Sequence, residues 1–145
     1  MGEKQDRWDG KTLPFGEDCY DYCRRGFFNR WKPRIITAIY FDKDCTRFSR
    51  FTRQLPITEK VLTQNLRELE EDGIINRTIS PEVPLRVEYQ LTEQGKRLYD
   101  ILMRIYDWGW NSMTARGLPI DPLGEMWHGY REKDEELMEA PIRRQ

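Results

Sequence analysis

A chain of 145 residues suits one domain with extensions, and no apolar run approaches the roughly 18 residues of a membrane-spanning helix. The formal net charge of −1 would argue against a polyanionic partner if it were evenly spread, but it is not: from Arg24 to Arg67 eleven basic residues stand against three acids, a local surplus of eight. Residues 1–23 sum to minus three and residues 68–145 to minus six.

Residues 1–16 mix Gly, Pro and charge without a sustained period and read as part of an N-terminal arm, 1–17. They are too polar for a secretory signal. A first helix is expected from near Asp18, with Tyr20, Cys23 and Phe27 on one side. "RWKPRIITAIYF" reads as a second helix with Pro33 in its first turn, where a missing N–H is harmless, and with Ile35, Ile36, Ile39 and Tyr40 as its apolar stripe. After the turn "DKDC", "TRFSRFTRQL" predicts a short helix with Phe48, Phe51 and Leu55 inward and Arg47, Arg50 and Arg53 outward. "PI" breaks it. Thr58 is an N-cap for "TEKVLTQNLRELEEDGII", and Gly73 supplies its left-handed stop.

"IINRTIS" and "RVEYQL" then alternate as strands around "PEVPL", whose two prolines predict a stiff, protruding loop and not a tight hairpin. Thr92 caps a long helix, "EQGKRLYDILMRIYDWGW", with a broad apolar face of Leu98, Ile101, Leu102, Ile105 and Trp108. Beyond Ser112 the Pro and Gly clusters give way to "YREKDEELMEA", a candidate short acidic helix without a core pattern. Trp127 and His128 have no role legible in the pattern. The domain plan is therefore an arm at 1–17, a folded domain at 18–112 and a C-terminal extension at 113–145. The fold class is mainly α with a small β-wing. Two helices across a tight break, followed by a two-stranded ribbon, make a winged helix-turn-helix.

In the fourth helix Leu62, Leu66 and Leu69 share one side, with Lys60, Gln64 and Arg67 opposite and Thr63 at the flank. In a helix-turn-helix that outer face enters the DNA major groove, where Gln pairs with adenine and Arg or Lys with guanine. For an arbitrary helix a polar face is only a solvated one. The arginine-rich helix before it and the strand–loop–strand after it favour reading over solvation. The acids Glu68, Glu70, Glu71 and Asp72 are expected to point away from the groove.

The ordered set "RWKP", "TRFSRFTRQLP", "LTQNLRELEEDGII", "RTISPEVPLRVEYQLTEQG" and "DWG" resembles the HxlR-type winged-helix transcriptional regulators, related to the MarR group, over about residues 19–110. The resemblance implies a cytoplasmic homodimer through the first and last helices, with Tyr20, Phe27, Leu98, Ile101, Leu102, Ile105 and Trp108 at its interface. It implies binding to double-stranded DNA at an inverted-repeat operator, most often as a repressor. Lys60, Thr63, Gln64 and Arg67 match the recognition positions; Arg77 and Arg86 match basic wing positions that contact phosphate. Arg47, Arg50 and Arg53 are read as further DNA-binding residues, with pairing inside the fold as the alternative for Arg47. The chain departs from the family pattern at Arg50, where an acid after "RFS" is usual, and in "LPIT", which lacks the usual glycine and is one residue shorter.

The resemblance also implies an oxidant- or electrophile-sensing cysteine near the start of the first helix, which Cys19 matches, with Cys23 one turn on. The alternative is an inert, buried thiol. Cys45 sits in a polar turn and is read as incidental. Three cysteines without a disulfide spacing fit a reducing compartment, and one histidine far from them gives no metal site. No cofactor is expected. With no phosphate loop, no His-containing triad and no HExxH, an enzyme is not expected either. A winged helix used for protein–protein contact is the competing reading. A small-molecule effector is compatible with the main one, since Tyr20, Phe27, Trp108 and Trp110 could line a pocket; a dimer core is the commoner use of such aromatics.

Overall fold

The structure, a computed structural model, describes residues 18–42 and 46–139, with side chains described to residue 133. The N-terminal arm and Cys45 lie outside the described residues. The elements run α1 (Cys19–Gly26), α2 (Lys32–Phe41), β1 (Thr46–Arg47), α3 (Phe48–Gln54), α4 (Glu59–Glu71), β2 (Ile75–Ser80), β3 (Arg86–Leu91), α5 (Glu93–Ala115) and α6 (Pro122–Glu139). Two compact units divide within α5, between Tyr99 and Asp100.

In the first unit the Asp18 carboxylate caps α1 by accepting from the N–H groups of Tyr20 and Asp21. Pro33 sits in the first turn of α2. Ile35, Ile36 and Ile39 of α2 are fully buried, as are Phe51 of α3 and Leu62 and Leu69 of α4, with Leu66 nearly so. Each large apolar side chain sequestered this way contributes about 2 kcal/mol of transfer free energy. The Phe51 ring meets Tyr89 edge-on at 6.0 Å, and Tyr40 stacks on Tyr99 at 3.7 Å, which ties the start of α5 to α2. Leu55 closes α3, and Ile57 N–H donates back to Leu55 C=O at 2.8 Å across the "LPIT" break. Thr58 Oγ1 then accepts from Val61 N–H at 3.3 Å and caps α4. At the other end Gly73 takes φ +75°, and Ile74 N–H donates to Leu69 C=O, the left-handed stop that the sequence predicts.

The sheet is three-stranded and antiparallel in the order β1-β3-β2, with Ile75 opposite Leu91 and Ser80 opposite Arg86. The expected ribbon of two strands thus gains a third. Residues Thr46 and Arg47, assigned to the start of the α3 helix from sequence, pair with Tyr89 and Glu88. Two residues are too few to show alternation, and their pairing partner lies about forty positions away. Only the root of the wing is sequestered: Ile75, Tyr89 and Leu91 are buried, whereas residues 76–79 and 81–85 are exposed and Val83 at the tip is completely so.

In the second unit the tail is more ordered than its sequence suggests. Helix α6 begins at Pro122, eight residues before the acidic stretch, because Asp121 Oδ1 accepts from Gly124 N–H at 2.7 Å and proline is tolerated at a helix start. Several contacts join α5 to α6. Tyr106 Oη donates to Gly124 C=O at 2.6 Å, the Arg131 guanidinium forks onto the Asp107 carboxylate, and the Trp110 and His128 rings stack at 3.7 Å. Trp127 is buried. The two tail residues without a legible role are thus packing residues.

Candidate nucleic-acid interface

The 3.6-residue period of α4 places Leu62, Asn65, Leu66 and Leu69 inward and leaves Lys60, Thr63, Gln64 and Arg67 exposed. Arg47, Arg50 and Arg53 are also exposed. Their charges are not equally available. Arg50 Nε lies 3.2 Å from Asp42 Oδ1, so the basic residue that stands where the HxlR-type pattern has an acid is paired at the surface. Arg47 stands opposite Glu88 in the strand register. In the wing, Arg77 is exposed, while Arg86 is half-buried and lies 3.6 Å from Glu82 and 3.7 Å from Glu88.

Where α4 meets the wing root, Thr63, Leu66, Arg67, Glu70, Arg77 and Tyr89 line an open pocket of about 210 Å³. It brings together one predicted recognition arginine, Arg67, and one predicted wing arginine, Arg77. Burial pushes the Tyr89 phenol up from its ordinary range, against the opposing charge of the nearby Arg77. Glu70, expected among the acids that point away from the groove, also lines this pocket.

Beneath the exposed face of α4 lies a polar brace that the sequence pattern did not disclose. Lys32 is 1% exposed; its Nζ donates to Glu68 Oε1 at 2.6 Å and to Arg25 C=O at 3.1 Å. Glu68 Oε2 accepts from Gln64 Nε2 at 2.5 Å. In parallel, Asn29 Nδ2 donates to Asn65 Oδ1 at 2.9 Å, while Asn29 Oδ1 accepts from the N–H groups of Trp31 and Lys32 and so caps the start of α2. Asn65 Nδ2 returns to Val61 C=O. Two side-chain links thus fix α4 to the start of α2, and Glu68, expected among the solvated acids, faces inward at one end and toward Gln64 at the other. Lys32, counted in the basic surplus, is not available to a phosphate.

Hydrogen bonds from Lys32 and then Gln64 hold the Glu68 carboxyl below its ordinary value. A carboxyl whose folded-state pKa is depressed adds stability that is fully present above its unfolded value, about 4.3, and that disappears as pH falls through the folded one. The urea midpoint is therefore expected to fall on acidification below about pH 5, more steeply in the wild type than in Glu68→Gln, which has no proton to take up.

The HxlR-like helix-turn-helix profile matches residues 27–116, well over half the chain. The chain belongs to the HxlR-like helix-turn-helix family. An HTH-type transcriptional regulator of Methanothermobacter thermautotrophicus is 47% identical over 81 residues, 55% of this chain and 60% of that protein. The HTH-type transcriptional regulator YtcD of Bacillus subtilis is 46% identical over 86 residues, 59% of this chain and 67% of YtcD. The structure of the redox regulator HypR in its reduced form matches with a TM-score of 0.63 at 34% identity, over 69% of this chain and 98% of that one. The chain thus spans under two thirds of the archaeal relative's length. Helix α6 falls beyond the HxlR-like match.

Among the residues that the HxlR-type resemblance assigns to a dimer contact, Leu98 and Leu102 are buried within the chain and Phe27 is half-buried. Tyr20 (85%), Trp108 (74%), Ile101 and Ile105 are exposed. Trp110 is engaged with His128. Cys19 is an exposed free thiol in the first turn of α1, and Cys23 is a half-buried free thiol one turn on. The Asp18 carboxylate accepts from the N–H groups of Tyr20 and Asp21 at that helix start and places a negative charge beside Cys19. Among the described residues, no helix is long and apolar enough to cross a membrane.

Proposed function

We propose that this protein is a sequence-specific, double-stranded-DNA-binding transcriptional regulator, a repressor acting in the cytoplasm as a homodimer on an inverted-repeat operator and carrying out no catalysis. One observation carries the reading: α4 buries its leucines and presents Lys60, Thr63, Gln64 and Arg67 outward, beside a wing whose Arg77 shares a pocket with Arg67. Lys60, Thr63, Gln64 and Arg67 meet base edges; Arg47, Arg53, Arg77 and, less strongly because they are paired, Arg50 and Arg86 meet phosphates. The exposed Ile101, Ile105 and Trp108 of α5, and Tyr20 of α1, supply the contact with a second copy. The HypR likeness supports Cys19 as a sensor of oxidants or electrophiles, with Cys23 as its neighbour.

The test is fluorescence anisotropy with a duplex from upstream of the protein's own gene against a scrambled one, at several salt concentrations. Selective binding that weakens with salt is expected, and Arg53→Ala should reduce the slope of log K against log salt by about 1, with affinity lost uniformly across sequences. Binding to neither duplex at low salt would move the weight to a winged helix for protein contact. Diamide should weaken wild-type binding and leave Cys19→Ser unaffected; an equal response in both would remove Cys19 from the reading.

A further inference from the structure

Gln64 does not project freely from α4. Its Nε2 donates to Glu68 Oε2 at 2.5 Å, and the other carboxylate oxygen accepts from the buried Lys32 Nζ at 2.6 Å. A carboxylate accepts hydrogen bonds and has no proton to give. The side of the Gln64 amide turned toward Glu68 must then be the NH₂, because a flipped amide would set two acceptors against each other. The carbonyl oxygen Oε1, with the second N–H, is what remains for an outside partner. An untethered glutamine on an exposed helix presents either end of its amide; here the choice is made by a carboxylate that a lysine, 1% exposed, keeps in place.

We propose that Glu68, fixed by Lys32, is a positioning residue that holds Gln64 with its carbonyl oxygen toward the major groove and so selects a base offering an amino donor there, adenine before cytosine. The proposal rests on the reading of α4 as the DNA-contacting face. Adenine offers the N6 amino group to Oε1 and N7 to the remaining N–H; cytosine offers only its N4 amino group; guanine and thymine present acceptors alone on their major-groove edges. The tether also removes rotamer freedom that Gln64 would otherwise lose on binding.

Selection from a pool of randomised duplexes, followed by sequencing of the bound fraction, tests this in full-length protein. Wild type should favour adenine about tenfold over guanine at one position per recognition helix, and Gln64→Ala, an exposed substitution, should abolish that preference. In Glu68→Gln the single carbonyl oxygen goes to the Lys32 ammonium, so the new NH₂ faces Gln64 and turns its amide over; the preference should move toward guanine or thymine at that position alone. If that variant does not fold, Lys32→Met/Glu68→Leu, which removes charge and carboxylate together, frees Gln64 and should flatten the preference. A merely structural role for Glu68 would lower affinity for all sequences alike and leave the preference at this position intact, which overturns the proposal. A wild-type preference for guanine or thymine that Gln64→Ala removes also overturns it. Selection of no sequence by the wild type, with Gln64→Ala no different, means instead that α4 does not read DNA, and the proposal falls with that reading.

Discussion

Gly95→Ala should lower the stability of the domain by about 3 kcal/mol, the upper part of the range for overpacking a closed site. A Cβ on Gly95 would lie 2.2 Å from the carbonyl oxygen of Ile74, 3.2 Å from its carbonyl carbon and 3.3 Å from Leu91 Cδ2. The obstacle is backbone and cannot swing aside. Ile74 C=O is also held in place, since it accepts from Thr92 N–H at 3.0 Å and from Thr92 Oγ1 at 3.1 Å. Thr92 in turn caps α5 through Gly95 N–H. To admit one methyl group, the start of α5 must part from the residue that leads into β2, and with it goes the cap that starts the helix. The measurement is a urea titration followed by circular dichroism at 222 nm. Its control is Gly129→Ala in α6, where a Cβ meets nothing within 4 Å and replacing a helical glycine should gain up to about 1 kcal/mol. Loss in the first and none in the second would show that space, not helix propensity, requires glycine at 95. On the proposed reading, the same displacement would also disturb DNA binding, because Ile74 leads into the strand that carries Arg77.

Local signals made most of the domain legible. The Thr58 cap and the Gly73 stop bracket α4 because both act through their own backbone neighbours, and the leucine spacing fixes which side is buried. The exposure of Lys60, Thr63, Gln64 and Arg67 follows from the same period. What stayed hidden depends on pairs far apart in the chain. Strand β1 exists because Thr46 and Arg47 find Tyr89 and Glu88. Lys32 looks like one more surface cation until α4 delivers Glu68 to it, thirty-six residues later. Gly95 carries no mark in the sequence that separates it from a tolerated helical glycine such as Gly129. Trp127 and His128 sit among Pro and Gly that read as breakers, yet Pro122 occupies a helix start, where its fixed φ is an advantage.

The basic surplus shows how the two levels combine. Counted along the chain, residues 24–67 hold eleven cations, but the number that can meet a phosphate is smaller. Lys32 is enclosed and Arg50 is matched by Asp42. The unpaired remainder on α3 and α4 is what a counterion-release slope would count, so a measured slope smaller than the composition suggests is the expected result and not a sign of weak recognition.

Glu68→Ala should be the second large loss, about 3 kcal/mol, and Lys32→Met a much smaller one, under about 1 kcal/mol. The two residues form one ion pair, yet they are unequally placed: the Lys32 side chain is 2% exposed and that of Glu68 is 38% exposed. Without Glu68 the buried ammonium keeps the Arg25 carbonyl at 3.1 Å but has lost the carboxylate that compensates its charge. Without Lys32 the Glu68 carboxylate is already partly in water, and a methionine of similar length fills the space where the lysine stem lay. Comparing the two urea midpoints with that of Lys32→Met/Glu68→Leu completes a cycle. A double variant near wild type, beside a severe Glu68→Ala, would show that the pair adds little net stability and that its necessity comes from the lysine being buried. Equal losses from the two single variants would show instead that attraction across the pair dominates. The first outcome is expected, because desolvation of a buried ammonium rivals the attraction that offsets it. On the proposed reading of α4, a pair that adds little net stability is suited to orienting Gln64, since replacing both residues together can then change the base preference without unfolding the protein.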